Sequence, residues 1–206
     1  MIITTEQTKN GRIRVFGDAD YLFTVTGEFW YAQNIYDGDD VPAAQMEELA
    51  RTAEENRCLN AAYTYLARRP HTVWELRGKL RQKFDEAAVS AAIAQAAEMG
   101  LLDDLAFAAE YAEELLRLKH YAPTRIKAEL MKRGVGRAEA QQALDTLDFS
   151  AEEELRLLLA KKYHNDLSDE KGKRRAISAL MRYGYSPGDI QKAIDEWTSD
   201  EVFTDE

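Results

Sequence analysis

Apolar positions along this chain keep two rhythms. From Leu59 to Trp197 they hold helical spacing, as in Val73, Leu76, Leu80 and Phe84, and the arrangement returns at an offset of fifty residues. Leu76–Arg77–Gly78–Lys79–Leu80 falls on Ile126–Lys127–Ala128–Glu129–Leu130, which falls in turn on Ala176–Ile177–Ser178–Ala179–Leu180. Leu130–Met131–Lys132–Arg133–Gly134–Val135 likewise matches Leu180–Met181–Arg182–Tyr183–Gly184–Tyr185. Leu144 and Ile194 stand fourteen residues beyond the shared leucines. Such a fixed period marks tandem supersecondary units, each completing the burial of its neighbour's apolar face.

Each unit reads as three helices. In the first, an alanine-rich helix over 59–67 is stopped by Arg68–Arg69–Pro70, because the residue before a proline is pushed out of helical conformation. Thr72 is the expected N-cap of a helix over 73–83, and a third helix runs from about 86 to 99 and ends at Gly100. The second unit repeats the plan over 105–118, 124–133 and 138–147. Gly134 and Gly184 fall just past the middle helices, where a positive φ is expected. The first unit lacks that glycine before Phe84, and its Leu80-to-Ile93 interval is thirteen residues, a one-residue deletion at the turn. The third unit stretches its first turn through 164–169.

The second rhythm belongs to the N-terminus. Segments 2–5, 12–16 and 21–25 are short, β-branched and aromatic, with Asn10–Gly11 and Gly17–Asp18 as turns, which predicts a small antiparallel meander. Residues 27–34 fit a fourth strand or a short helix. Asp37–Gly38–Asp39–Asp40 reads as a loop, and Pro42 opens a helix to about Glu55. Tyr21, Phe23, Phe29, Trp30 and Tyr31 read as core rather than as a ligand platform. The predicted fold is therefore mainly α: three three-helix repeats behind a small β-rich extension. The expected divisions are 1–56, 57–104, 105–149, 150–198 and an acidic, frayed tail over 199–206.

Charge changes this picture more than composition does. The formal net charge is −10, which argues against a protein built chiefly to grip DNA phosphates. It is unevenly spread: residues 1–58 carry a net −6, residues 59–100 a net +2. Basic residues recur on the middle helices, namely Arg77, Lys79, Arg81 and Lys83, then Arg125, Lys127, Lys132 and Arg133, then Lys171, Lys173, Arg174, Arg175 and Arg182. Three equivalent basic faces lining up into one stripe is one reading, and solvated faces paired with nearby carboxylates is the other.

Catalytic signals are absent. Gly134 and Gly136 lack the Gly-Lys-Ser/Thr of a phosphate loop, and His71, His120 and His164 have no ligand-type spacing. Asp103–Asp104 opens a helix, where capping accounts for it. The single cysteine, Cys58, excludes an internal disulfide or a cysteine-based metal cluster. No cofactor or metal is expected, no apolar run reaches membrane-span length, and the start lacks a signal pattern, so the protein is expected in the cytoplasm, as a monomer. Middle-plus-third helix pairs such as 74–97 also look like a helix-turn-helix.

Three ordered motifs bear a family likeness: Tyr65–Leu66–Ala67–Arg68–Arg69–Pro70, then Glu75–Leu76–Arg77 with Lys79–Leu80, then Gly100–Leu101–Leu102–Asp103–Asp104 with Phe107–Ala108. Together with Lys132–Arg133–Gly134–Val135 and Arg182–Tyr183–Gly184–Tyr185–Ser186, they resemble RecX regulators of the RecA recombinase. The resemblance implies a non-enzymatic modulator that binds along the recombinase filament on single-stranded DNA and damps its ATPase, strand-exchange and co-protease activities. It places the contact surface on Arg68, Arg69, Arg77, Arg81, Lys83, Arg125, Lys127, Lys132, Arg133, Arg174, Arg175 and Arg182, as a surface rather than as single sites. The alternatives are a sequence-tolerant DNA-binding module that uses the helix-turn-helix-like pairs directly, with tight and steeply salt-dependent binding to naked DNA, and a helical-repeat adaptor for another protein; weak direct DNA binding is also compatible with the regulator.

Overall fold

The computed structural model describes the backbone of residues 1–204 and the side chains through Ser199. The chain divides into two compact units, Met1–Leu102 and Asp103–Glu206.

The first unit opens with an antiparallel meander of β1 (Ile3–Gln7), β2 (Arg12–Gly17) and β3 (Asp20–Thr26), in that spatial order. Asp18 and Ala19 both take positive φ, 50° and 70°, in the second hairpin, the left-handed pair that matches the strands' own twist. The register runs Val15 with Phe23 and then Phe16 with Tyr21, so Leu22 is an extra, bulged residue. That bulge corrects the reading of the N-terminal aromatics. Phe23 and Trp30 are buried, whereas Tyr21 turns outward beyond the bulge and Tyr31 points to solvent, 58% and 66% exposed. Segment 27–34 resolves into a short helix, α1 (Gly27–Tyr31), whose N-cap Thr26 accepts from the Phe29 N–H.

α2 (Ala43–Leu66) is one unbroken helix of 24 residues, where the sequence pattern predicts two. Nothing between Glu55 and Leu59 breaks a helix: Asn56, Arg57 and Cys58 carry no proline or glycine to end it. Its first half lays Met46 and Ala53 on the sheet beside Ile3, Val15 and Phe23. Its second half gives Cys58, Leu59 and Ala62 to a separate core with α3 (Val73–Leu80) and α4 (Glu86–Glu98). One helix thus serves as wall for the sheet and as first helix of the first repeat. Leu76 and Leu80 are almost fully buried there, each contributing about 1.5–3 kcal/mol by leaving water. Thr72 Oγ1 accepts from the Glu75 N–H at 3.1 Å, capping α3 as its position predicts. α3 ends at Leu80 rather than 83, and the shortened turn closes by Phe84 N–H to the Leu80 carbonyl at 3.1 Å.

The second unit holds α5 (Asp104–Lys119), α6 (Pro123–Lys132) and α7 (Arg137–Asp145). There follow α8 (Ala151–Leu158), a π-helical turn (Leu159–Tyr163), a 3-10 segment (His164–Ser168), α9 (Glu170–Arg182) and α10 (Pro187–Thr204). The expected stretched turn over 164–169 is therefore helical for most of its length. α10 continues through most of the expected tail, whose last residues, 205–206, lie outside the described residues. The fifty-residue period is carried into packing: Leu76, Ile126 and Ala176 are each 0% exposed, and Leu80, Leu130 and Leu180 at most 1%.

Gly134 and Gly184 adopt φ of +82° and +97°. Each closes the same C-terminal motif: Val135 N–H returns to the Leu130 carbonyl at 3.2 Å, Tyr185 N–H to that of Leu180 at 3.4 Å. The third repeat's turn is also a seat for the second. Tyr183 O accepts from Ala122 N–H at 2.9 Å, the Tyr185 hydroxyl donates to the His120 carbonyl at 2.8 Å, and Tyr121 meets Tyr183 edge-on. His120 itself ends α5 in the left-handed region, φ +55°, with Nδ1 2.6 Å from Glu154 Oε2.

Candidate partner-binding surface

The cations singled out in the sequence fall into distinct settings. In the first unit, Arg69 donates to the Pro70 carbonyl at 2.7 Å and to Glu75 at 2.8 Å. Arg77 and Arg81 converge on Glu86 of α4, both at 2.5 Å. The Arg81 guanidinium, with that of Arg77 beside it, holds the Glu86 carboxyl below its usual range despite some opposing desolvation. Arg68 and Lys83 are exposed and have no ion pair among the described residues.

On α6 the charges diverge. Arg125 pairs with Glu129 at 2.7 Å and lies over the Tyr121 ring, while its Nε is buried without a hydrogen-bond partner. Lys132 shares the same Glu129 at 2.9 Å. Lys127 points to the other side, donating to Gln141 of α7 at 2.6 Å. Arg133 sits over the Tyr111 ring, 4.2 Å from its centroid. The second repeat's cations are thus largely absorbed by the fold.

On α9 they are not. Lys171, Arg174, Arg175 and Arg182 share an open groove of about 870 Å³ with Tyr163, Asp166, Glu170 and Ser178. Only Arg175 is tied down, to Asp166 at 2.8 Å; Lys171, Arg174 and Arg182 carry no ion pair among the described residues. Arg125 and Lys132 correspond by the repeat to Arg175 and Arg182, so one arc of the helix carries charge in both repeats. Lys171, read as basic in the third unit but not among the candidate contacts, joins them one turn before Arg175, and the structure adds Arg137, which lines a second groove beside Lys127 and Met131. Helical spacing from Arg175 was the signal for the former.

The groups that usually do chemistry are placed otherwise. Burial pushes the Cys58 thiol up to about 11, away from nucleophilic use. Asp103 caps α5, accepting from Leu105 and Ala106 N–H at 3.0 and 2.9 Å. His71 is buried and donates through Nδ1 to the Arg69 carbonyl at 2.9 Å. Among the described residues no cluster of three His, Cys, Asp or Glu is disposed to hold a metal, and no helix is long and apolar enough to cross a membrane.

Successive three-helix units behind a three-stranded sheet, with charged outward faces on the middle helices, define a tandem helical-repeat protein. Models of the first, second and third three-helix domains of RecX match residues 58–95, 103–144 and 151–194. A regulatory protein RecX of Clostridium botulinum (strain Alaska E43 / Type E3) is 30% identical over 188 residues, 90% of this chain and 88% of its own length. Another, from the Eklund 17B strain, is 28% identical over 98% of this chain and 97% of its own. A crystal structure of a regulatory protein RecX superposes with a TM-score of 0.69 at 20% identity, covering 94% of this chain and 98% of that one. RecX from Lactobacillus salivarius does so at 0.61 and 24% identity, over 69% of this chain and 96% of its own. The chain belongs to the RecX family of regulatory proteins.

Proposed function

We propose that this protein is a cytoplasmic regulator of recombination and repair. It binds, as a monomer, the RecA-type recombinase filament on single-stranded DNA and lowers the filament's ATPase, strand-exchange and co-protease activities. The observation that carries this reading is the α9 groove. Three cations there have no ion pair among the described residues, in a chain whose net charge is −10. Uncompensated cations on a repeat array suit an anionic, periodic partner, because weak contacts from several units sum when they engage together. The remaining family-based positions, from Arg68 and Arg69 to Arg133, are proposed as further contacts of lesser weight, since most already have a partner within their own unit.

The test is a titration of the chain into recombinase filaments on single-stranded DNA, with ATP hydrolysis as the readout. Inhibition is expected at ratios well below one chain per recombinase, and the double reversal Arg174→Glu/Arg182→Glu weakens it. Full inhibition by the double variant would remove α9 from the interface. No inhibition by the wild-type chain would remove the regulatory reading itself.

A further inference from the structure

Trp74 is a large aromatic side chain that neither the core nor the cation surface uses. Of the three tryptophans, Trp30 is 2% exposed in the sheet core and Trp197 packs on the second unit's core, whereas Trp74 stands 61% exposed on α3. The helical pattern explains why. Val73, Leu76 and Leu80 face inward, and at 3.6 residues per turn Trp74, Arg77, Gly78 and Arg81 share the outward arc of α3 and its C-cap. An indole left in water forgoes the largest burial a side chain offers, so its exposure calls for a partner surface.

Its neighbours narrow what that partner is. Gly78, one turn on, is exposed, and a Cβ added there would meet nothing within 4 Å. A helix-interior glycine disfavours the helix, yet here it leaves bare, open backbone next to the indole. Arg77 and Arg81 share the single carboxylate of Glu86, so among the described residues one positive charge stays uncompensated, and Lys83 adds another without an ion pair there. Residues 59–100 as a whole are +2 in a chain of −10. A flat aromatic beside guanidinium groups, with open space for a planar ring, is the combination that takes unpaired nucleobases and their phosphates. A duplex hides its base faces. The positions fifty and one hundred residues on hold Thr124 and Arg174, so the feature belongs to the first repeat alone.

The geometry points to a nucleobase-stacking site on α3, with the Trp74 indole as platform for a base of single-stranded nucleic acid and Arg77 and Arg81 on its backbone phosphates. It deepens the proposed function and rests on the partner carrying single-stranded DNA. The experiment follows tryptophan emission of the full chain at roughly 50 mM salt, where phosphate contacts are strong. The titrants are an oligo(dT) strand, an abasic strand of equal length and a duplex. Quenching is expected with oligo(dT) alone, and Trp74→Phe abolishes the Trp74 signal while keeping affinity within a few-fold. Trp74→Ala is expected to lose about tenfold in affinity for oligo(dT) while melting like the wild type. Equal binding of the abasic strand together with unchanged affinity of Trp74→Ala would overturn the site. So would a Trp74→Ala variant that loses the filament but binds the strand as before, since the indole would then touch protein. A wild-type chain quenched by oligo(dT) yet indifferent to the filament supports the stacking site and defeats the regulatory reading instead.

Discussion

Replacing Gly184 with alanine tests the packing of the second unit more sharply than any core truncation. Two costs coincide at this residue. Its φ of +97° is a conformation that an L side chain disfavours. An added Cβ would also stand 2.7 Å from Arg125 Cβ and 2.8 Å from Arg125 N, the second of these a backbone atom at the start of α6 that cannot swing aside. The conformational part amounts to about 1–2 kcal/mol and the overlap to about 1–3, so Gly184→Ala is expected to lose roughly 2–5 kcal/mol. Gly100→Ala is the control: φ is +69°, but nothing lies within 4 Å of its Cβ position, so only the conformational part applies. Urea unfolding, followed by helical circular dichroism and by emission of the partly buried Trp197, gives both midpoints. If Gly184→Ala costs no more than Gly100→Ala, the α9–α10 turn does not seat against α6 as described. Loss of the Ala122-to-Tyr183 hydrogen bond should accompany the drop, visible as faster exchange of the Ala122 amide.

Further outcomes follow from other close contacts and charges. Gly172→Ala drives a Cβ into the Asp166 carbonyl oxygen, so its thermal midpoint should fall by an amount equivalent to about 1–3 kcal/mol; an unchanged midpoint contradicts the packing of the 3-10 segment on α9. Arg174→Glu and Arg182→Glu remove no ion pair found among the described residues, so melting should stay within about 0.5 kcal/mol of wild type while filament affinity and its salt dependence decline; a variant that unfolds would make these charges structural. Burial lowers the His71 pKa from its ordinary 6.5, so the unfolded chain takes up a proton there before the folded one does. Stability contributed at His71 is therefore lost as pH falls below 6.5 and levels off beneath the lowered native value, and identical pH profiles for wild type and His71→Gln between pH 7 and 5 would refute it.

The parts of the fold readable from sequence were those fixed by local rules. Fifty-residue recurrence of Leu80, Leu130 and Leu180 marks the repeats because each must bury the same leucine. Gly134 and Gly184 could be placed at positive φ because the motif that closes a helix end prefers glycine there. His120 escaped that logic: it takes the same left-handed conformation without being glycine, next to a hydrogen bond to Glu154 thirty-four residues away. Residues 56–58 hid the fusion of α2, since two apolar stripes facing different cores give no single amphipathic pattern. The Leu22 bulge hid Tyr21's outward turn for a related reason: one inserted residue flips the parity that a strand pattern assumes.

For the surface, charge position was readable and charge availability was not. Arg125 and Arg174 look alike in the sequence, yet Glu129 neutralises one while the other faces an open groove. Pairing across helices, as between Arg77 and Glu86, depends on tertiary approach that periodicity does not encode. Trp74 was readable in principle: with Val73, Leu76 and Leu80 inward, the same wheel puts it outside.

Binding of the chain to naked single-stranded DNA, to DNA-free recombinase and to the assembled filament, side by side at about 150 mM salt, tests the regulatory reading most directly, because simple phosphate attraction is already attenuated there. The filament should bind far more tightly than either component, with the wild-type chain lowering its ATP hydrolysis at substoichiometric ratios. Tighter binding to naked DNA than to the filament would contradict the regulator and leave a DNA-binding helical-repeat module in its place.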